Sequence, residues 1–146
     1  MANDHTPVQP TRTAVQIVSF GYLHGPLLDG NGGPLPVDLV VDLRRHFRDP
    51  HVDPALRQLT ALDDAVRTAV RNTPGITDLV AMLTGAVLAY RSGPSAHRHP
   101  VTVATGCAGG RHRAGSVALE LAAALREHGV SSSVIHRDLH RPVVDR

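Results

Sequence analysis

The chain has 146 residues, of which 42% are hydrophobic and 19% are charged, and its formal net charge is +2. This length fits one domain with its own core, and the composition is that of a globular protein. No apolar run reaches the roughly 18 residues of a membrane span, and residues 1–12 lack the apolar segment of an export signal. The single cysteine excludes an internal disulfide. We therefore expect a cytoplasmic protein with no membrane partner.

The first half of the chain predicts two strands separated by loops. Residues 1–12 are polar and contain two prolines, so we expect a disordered tail. The run TAVQIVSFG (13–21) predicts a strand that ends at glycine, and the glycine- and proline-rich segment 24–36 predicts a loop. The apolar run VDLVVDLR (37–44) predicts a second strand, buried on both faces. Residues 45–63 are interrupted by two Asp-Pro pairs and predict a loop with short helical turns.

The second half predicts helices alternating with strands. The segments 63–72 and 75–93 have apolar residues at helical spacing. Residues 101–106 predict a buried strand, 113–129 a helix that ends at Gly129, and 130–139 a last strand. Together these elements predict an α/β fold, with a small mixed sheet of about four strands covered by helices. We expect one domain over residues 13–140, followed by a tail at 141–146.

The sequence GCAGGRHR (106–113) joins the third strand to the following helix and predicts an anion site. Its glycines let successive backbone N–H groups point inward, and the helix N-terminus adds partial positive charge. Arg113 is expected to face the ligand, since it falls where the helix begins. The loop has neither the Gly-Lys-Ser/Thr of a Walker A motif nor a dinucleotide-binding glycine spacing. An ordinary strand-to-helix turn, with glycines needed only by the backbone, is the alternative.

Cys107, Gly110 and Arg113 also have the spacing of the cysteine phosphatase signature. A thiolate at a helix N-terminus beside arginines would be nucleophilic, and Asp42, Asp49 or Asp53 could act as general acid. However, Gly106 and Ala114 stand where those phosphatases usually have histidine and Ser or Thr. A cysteine-dependent phosphatase, with Cys107 as nucleophile and Arg113 as phosphate clamp, is thus the alternative to a binding module.

Four motifs in register resemble the C-terminal domain of the RapZ RNase adaptor protein family. They are VSFGYLHG, VDLVVDLRRHFRDPHVDPALRQLTALD, TVATGCAGGRHR and SSVIHRDL, and they extend from about Val15 to Leu139. The resemblance implies a non-enzymatic regulatory module that binds a phosphorylated small molecule, either a sugar phosphate such as glucosamine 6-phosphate or a nucleotide, and RNA. It also implies self-association and a partner protein with a P-loop kinase-like domain, which these 146 residues do not contain.

The same resemblance implies one anion pocket, lined by His24, Asp42, Arg44, His51, Arg57, Gly109, Gly110, His112 and Arg113. Cys107, Ala108 and Arg111 belong to the same glycine-rich loop and complete the predicted ligand site. His136 and Arg137 are expected beside the pocket or on an RNA-binding face. We expect no cofactor and no metal, since the spacing of the histidines has no ligand signature.

The chain departs from the family pattern at several of these positions. Ala108 replaces a threonine, Ala114 a serine, Asp49 an asparagine and Ala61 a glycine, and GNGGPLP lengthens the loop before Val37. Loss of two hydroxyl groups from the glycine-rich corner changes the groups available to a ligand, while the backbone amides are kept.

Overall fold

Four strands form one sheet in the order β2-β3-β1-β4, with every neighbouring pair parallel. The coordinates are a computed structural model that describes residues 14–145. The strands are β1 (Val15–Gly21), β2 (Leu39–Asp42), β3 (Val101–Cys107) and β4 (Ser133–His136). The helices are α1 (Asp64–Arg71), α2 (Ile76–Arg91) and α3 (Arg113–Glu127), with 3-10 turns at Tyr22–His24, Pro50–Val52 and Ala96–Arg98.

All three α-helices pack on one face of the sheet and enclose the core. Ile17 of β1 and Val103 of β3 are register partners on that face, and both are fully buried. α3 covers them with Val117, Leu121 and Leu125. The core is built from Val, Leu, Ile and Ala, as expected from a chain with few aromatic residues.

The opposite face, which we call the helix-free face, is bordered by the long connection from β1 to β2. Val18, Val40, Ala104 and Ile135 lie on this face, because each is one residue away from a side chain in the core. Residues of the connection 22–38 line a groove on this side of the sheet, and the connection contains one short 3-10 turn and no α-helix.

The predicted α/β class is confirmed, and two details differ. The sheet is parallel throughout rather than mixed, because each connection returns the chain to the same end of the sheet before the next strand begins. β2 is shorter than predicted and is not buried on both faces: it is an edge strand, and Val40 is 62% exposed.

The helix limits agree with the sequence. α3 is followed by Gly129 at φ 74°, the left-handed conformation expected of a glycine after a helix.

Taken singly, no helix in the described part of the chain is long and apolar enough to cross a membrane, and α1 and α2 would meet that test only as a pair bent by 88°. The tail predicted at 1–12 lies outside the described residues.

Candidate phosphate-binding site

The predicted ligand residues gather at the carboxyl edge of the sheet, where its connections diverge. After Gly21 the chain moves past β3 to reach β2, whereas after Cys107 it moves past β1 to reach β4. Gly21 and Cys107 are register partners, so this divergence lies between adjacent strands. Ligands of open α/β sheets bind at such points, outside the carboxyl ends of the strands.

The glycine-rich loop 107–112 lies at this divergence, between the end of β3 and the start of α3. A Cβ placed on Gly21 would lie 2.4 Å from the carbonyl carbon of Gly109, and Gly110 has φ 80°. The loop is fixed through its carbonyl groups: Ala108 accepts from the N–H of Leu23 at 3.1 Å, and Arg111 accepts from the N–H of Ala61 at 2.8 Å. Gly21 is therefore required for the close packing of β1 against the loop, and Gly110 both for that packing and for a left-handed turn.

Three N–H groups of the same loop, unlike its carbonyl groups, make no hydrogen bond within the described chain. No acceptor among residues 14–145 bonds to the N–H of Gly109, Gly110 or Arg111. These donors immediately precede α3, whose N-terminus carries partial positive charge. Successive N–H groups beside a helix N-terminus can hold a phosphate oxygen without any side chain.

Cys107 belongs to the core more than to the surface. Its side chain is 3% exposed, and its Sγ accepts a hydrogen bond from the N–H of Ala114 at 3.3 Å. It lines a small cavity with room for about one water molecule, together with His51, Gly109 and His112. A nucleophile must reach the phosphorus atom of a substrate, and this thiol is enclosed, so the geometry offers no support for the phosphatase alternative.

Arg113 is also buried, at 3% exposure, and binds within the chain. Its Nη1 donates to the carbonyls of Leu43, Arg44 and Phe47 at 2.9, 3.2 and 3.0 Å, and its Nη2 lies 3.2 Å from a carboxylate oxygen of Asp49. The guanidinium therefore holds the segment that follows β2, instead of facing the glycine-rich loop as the sequence suggested.

Arg111 and His112 connect the loop to the segment that precedes α1. Arg111 donates to the carbonyls of Gln58 and Arg141 at 2.8 and 2.6 Å, and makes no ion pair with a carboxylate in the part of the chain described. The Nε2 of His112 lies 2.9 Å from the Leu59 carbonyl oxygen. Burial lowers the pKa of His112 below its usual value, against the opposing effect of that carbonyl. The site therefore contains an imidazole whose neutral form is favoured by burial, beside a guanidinium that is held by backbone carbonyls.

His51 and Arg57 belong to the ordered loop after β2. The N–H of His51 donates to Asp49 at 3.0 Å, and Arg57 donates through Nε to the His51 carbonyl at 2.9 Å. His51 borders the small cavity beside Cys107, whereas Arg57 supports it through the backbone. Of these two predicted ligand residues, only His51 thus reaches the glycine-rich loop.

Asp42, Arg44 and His24 lie at the same edge, outside that cavity. Asp42 and Arg44 form an ion pair at 2.7 Å, and the Arg44 guanidinium lies 3.6 Å from the centre of the Tyr22 ring. The hydrogen bond from Arg44 lowers the pKa of Asp42. The Nε2 of His24 is buried and bonds to no protein atom in the described chain.

His136 and Arg137 stabilise the end of β1. The Nδ1 of His136 lies 2.6 Å from Oγ of Ser19, and burial lowers the pKa of this histidine. Arg137 donates to the carbonyls of Gly25 and Pro26 at 2.8 and 2.6 Å, and it pairs with the fully buried Asp138. Both predicted RNA-binding side chains therefore have partners within the domain.

Two features were missed by the sequence analysis. Asp138 is fully buried and joins β1 to the C-terminal segment, and no local pattern indicates this role. Arg45, His46 and Arg48 are exposed beside the site, and the run RRHFR could have revealed them.

No group of three or more metal-ligating side chains occurs among the described residues.

Comparisons with known proteins cover nearly the whole domain. Residues 13–140 match the RapZ C-terminal domain. A "Nucleotide-binding protein" of Thermobifida fusca is 39% identical over 132 residues, which are 90% of this chain and 42% of that protein. Another "Nucleotide-binding protein", of Rubrobacter xylanophilus, is 39% identical over 134 residues, which are 88% of this chain and 41% of that protein. The chain thus spans about two fifths of the length of these curated relatives.

Proposed function

The chain belongs to the RapZ C-terminal domain family, and we propose that it is a regulatory module that binds a phosphorylated small molecule at loop 107–112. The observation that supports this proposal is the set of N–H groups at Gly109, Gly110 and Arg111, which donate to no acceptor among residues 14–145 and lie just before the N-terminus of α3. The names of the relatives, which describe them as nucleotide-binding, agree with a phosphorylated ligand.

The chemistry we propose is binding without reaction. Backbone amides would hold the phosphate oxygens, while Arg111 supplies positive charge from a position fixed by the Gln58 and Arg141 carbonyls. Arg113 contributes indirectly, because it holds the loop that carries Asp49 and His51. Occupancy of the site would stabilise the loops at the carboxyl edge and alter the surface offered to a partner.

Thermal unfolding with added ligands tests this proposal. Inorganic phosphate, glucosamine 6-phosphate and a nucleotide would be titrated, with unphosphorylated glucosamine as the control compound. A ligand present at 100 times its Kd adds about 2.7 kcal/mol to stability. We expect Arg111→Gln to reduce the shift and Arg71→Gln, a surface residue of α1 paired with Glu120, to leave it unchanged. The proposal fails if no phosphorylated compound raises the Tm, or if both variants respond alike.

We propose RNA contact as a second property of the same edge, supported by the exposed cluster Arg44, Arg45, His46 and Arg48. Exposed arginines bind phosphates without reading sequence, and such binding weakens steeply with salt. A double variant, Arg45→Gln with Arg48→Gln, should reduce the slope of log K against log salt by about 2, since each phosphate contact contributes about one unit. An unchanged slope, or binding insensitive to salt, would remove RNA from the proposal.

A further inference from the structure

Residues 141–145, which we call the strap, reach the proposed phosphate site from the segment that follows β4. The strap contains neither helix nor strand. Its Val143 lines the small cavity of the site, together with Gly109 and Arg111 of the glycine-rich loop. The strap is therefore one wall of the cavity that the loop borders.

Two contacts at Arg141 hold the start of the strap. The Nε of Arg141 lies 2.8 Å from a carboxylate oxygen of Asp138, which is fully buried. The carbonyl of Arg141 accepts a hydrogen bond from Nη1 of Arg111 at 2.6 Å. Asp138 itself lies against the loop, since a Cβ placed on Gly110 would be 2.9 Å from the Cβ of Asp138. The strap thus begins beside the loop and takes up a donor of the cation in the proposed site.

The cavity that the strap closes is too small for the proposed ligand. It has room for about one water molecule, whereas a phosphate group carries several oxygens that are each about as large as a water. Other walls have fixed positions: Asp49 is paired with the buried Arg113. The loop 107–112 is bonded to the N–H groups of Leu23 and Ala61. The strap has no regular structure and lines the cavity with one apolar side chain, so its movement would open the site at the least cost.

We propose that the strap is an autoinhibitory device, which covers the site in the free domain and is displaced when a phosphorylated ligand binds. This inference rests on the proposed phosphate site at loop 107–112. A phosphate oxygen that takes the Nη1 donor of Arg111 replaces a neutral carbonyl by a charged acceptor, and such charge-assisted hydrogen bonds are stronger. Nη2 keeps the Gln58 carbonyl, so the guanidinium stays in place while one of its partners changes. Ligand binding is thereby coupled to release of the strap.

The affinity for inorganic phosphate, measured by isothermal titration, tests the inhibition. A covered site binds with an apparent affinity reduced by the fraction of molecules that are open. With an open fraction of about one tenth, removal of residues 141–146 lowers the Kd about tenfold. The truncation removes Arg141, Arg146 and Asp145, which is two positive charges and one negative, so its net charge falls by one. Charge alone would weaken phosphate binding, and the expected change is therefore opposite in sign to the electrostatic one.

Arg126→Gln is the matched control for this loss of charge. Arg126 is exposed in the last turn of α3, at the opposite end of that helix from the site. The variant loses one positive charge and keeps the strap. We expect its Kd for phosphate to equal that of the wild type or to be slightly higher.

Cysteine labelling in the full chain follows the strap directly. Val143 is half-buried, so Val143→Cys should react slowly with a maleimide in the free domain. Saturating phosphate should raise this rate about tenfold, because the open fraction rises from about one tenth to nearly one. Met82→Cys is the control, since Met82 is 74% exposed on α2, and its rate should not change. Peptide mapping separates label at position 143 from label on the native Cys107.

The two measurements separate failure of the strap from failure of the site. If phosphate binds neither the full chain nor the truncated one, the proposed site is wrong and the strap falls with it. If phosphate binds the full chain, and the truncated chain binds it equally or more weakly, the site stands and the strap is overturned. A labelling rate at position 143 that bound phosphate leaves unchanged also overturns the strap. Tighter binding after truncation, together with faster labelling at position 143, supports both.

Discussion

Gly109 lies directly on Gly21, so that the turn after β3 closes over the end of β1. A Cβ at position 21 would lie 2.4 Å from the Gly109 carbonyl carbon and 2.8 Å from the Gly110 nitrogen. Both atoms are backbone and cannot yield by rotating a side chain. We therefore expect Gly21→Ala to lower the free energy of unfolding by about 1–3 kcal/mol or more, as overpacked cores do, and to disturb the loop that carries the N–H groups.

Urea unfolding of Gly21→Ala beside Gly85→Ala makes this test specific. Gly85 is exposed on α2, and a Cβ there would have no neighbour within 4 Å. Alanine is favoured over glycine inside a helix by about 1 kcal/mol, so this variant should gain stability. If Gly21→Ala were as stable as the wild type, the close packing of Gly109 on Gly21 would be wrong.

Asp138 should make the domain sensitive to acid below about pH 4. Burial alone raises the pKa of Asp138, but hydrogen bonds from Arg137 and the Gly21 N–H (2.7 Å) outweigh it, so the net pKa is lowered. A lowered folded-state pKa stabilises the protein above the unfolded pKa, and this stability is lost as pH falls through the folded value. Asp138→Asn should cost about 3 kcal/mol at pH 7, since it leaves Arg137 without its buried partner.

The measurement is the unfolding free energy from pH 7 to pH 2 for the wild type, Asp138→Asn and Asp78→Asn. Asp78 is exposed on α2 and serves as the control carboxylate. The wild type and Asp78→Asn should lose stability together below about pH 4, whereas the curve of Asp138→Asn should be flatter there. Parallel curves for all three proteins would show that Asp138 does not contribute.

His112 and His136 should make stability depend on pH in a second, higher range. Burial lowers the pKa of both histidines. Their stabilising effect is complete above the unfolded value of about 6.5 and is lost as pH falls below it, because the unfolded chain takes up the protons first. His112→Gln keeps a donor for the Leu59 carbonyl but removes a titrating group. The variant should therefore reduce the slope of the unfolding free energy against pH, between pH 6.5 and 5, by up to about 1.4 kcal/mol per pH unit.

Thermal or urea unfolding between pH 7.5 and 5 tests the effect, with the exposed His97→Gln as control. The His97 variant should follow the wild type at every pH. A wild-type curve without any decrease between pH 6.5 and 5 would contradict the buried neutral state of both histidines.

The order of strands and helices could be predicted because several apolar runs end at glycine or proline, as 13–21 and 101–106 do at Gly21 and Gly106, and because the helical segments have apolar residues at helical spacing. The exposure of Val40 could not, since a run of Val and Leu does not reveal whether its strand is central or at an edge. The glycine-rich loop was placed correctly between β3 and α3, yet the direction of Arg113 was not. Its partners are carbonyls about 70 residues earlier in the chain, and no local spacing encodes them.

Arg113 should consequently prove more important for folding than an exposed arginine at the same edge. One guanidinium nitrogen reaches three carbonyls and another lies beside Asp49, an arrangement that needs the planar group with several fixed donors. Arg113→Lys keeps the charge but loses this geometry in a buried site, and we expect a loss of about 2–4 kcal/mol. Arg44→Lys, at an exposed ion pair with Asp42, should cost less than about 1 kcal/mol. Urea unfolding of both variants at pH 7 compares them directly. Equal, small losses would mean that the Arg113 guanidinium does not hold the segment after β2, and the residue would again be available as a direct phosphate ligand.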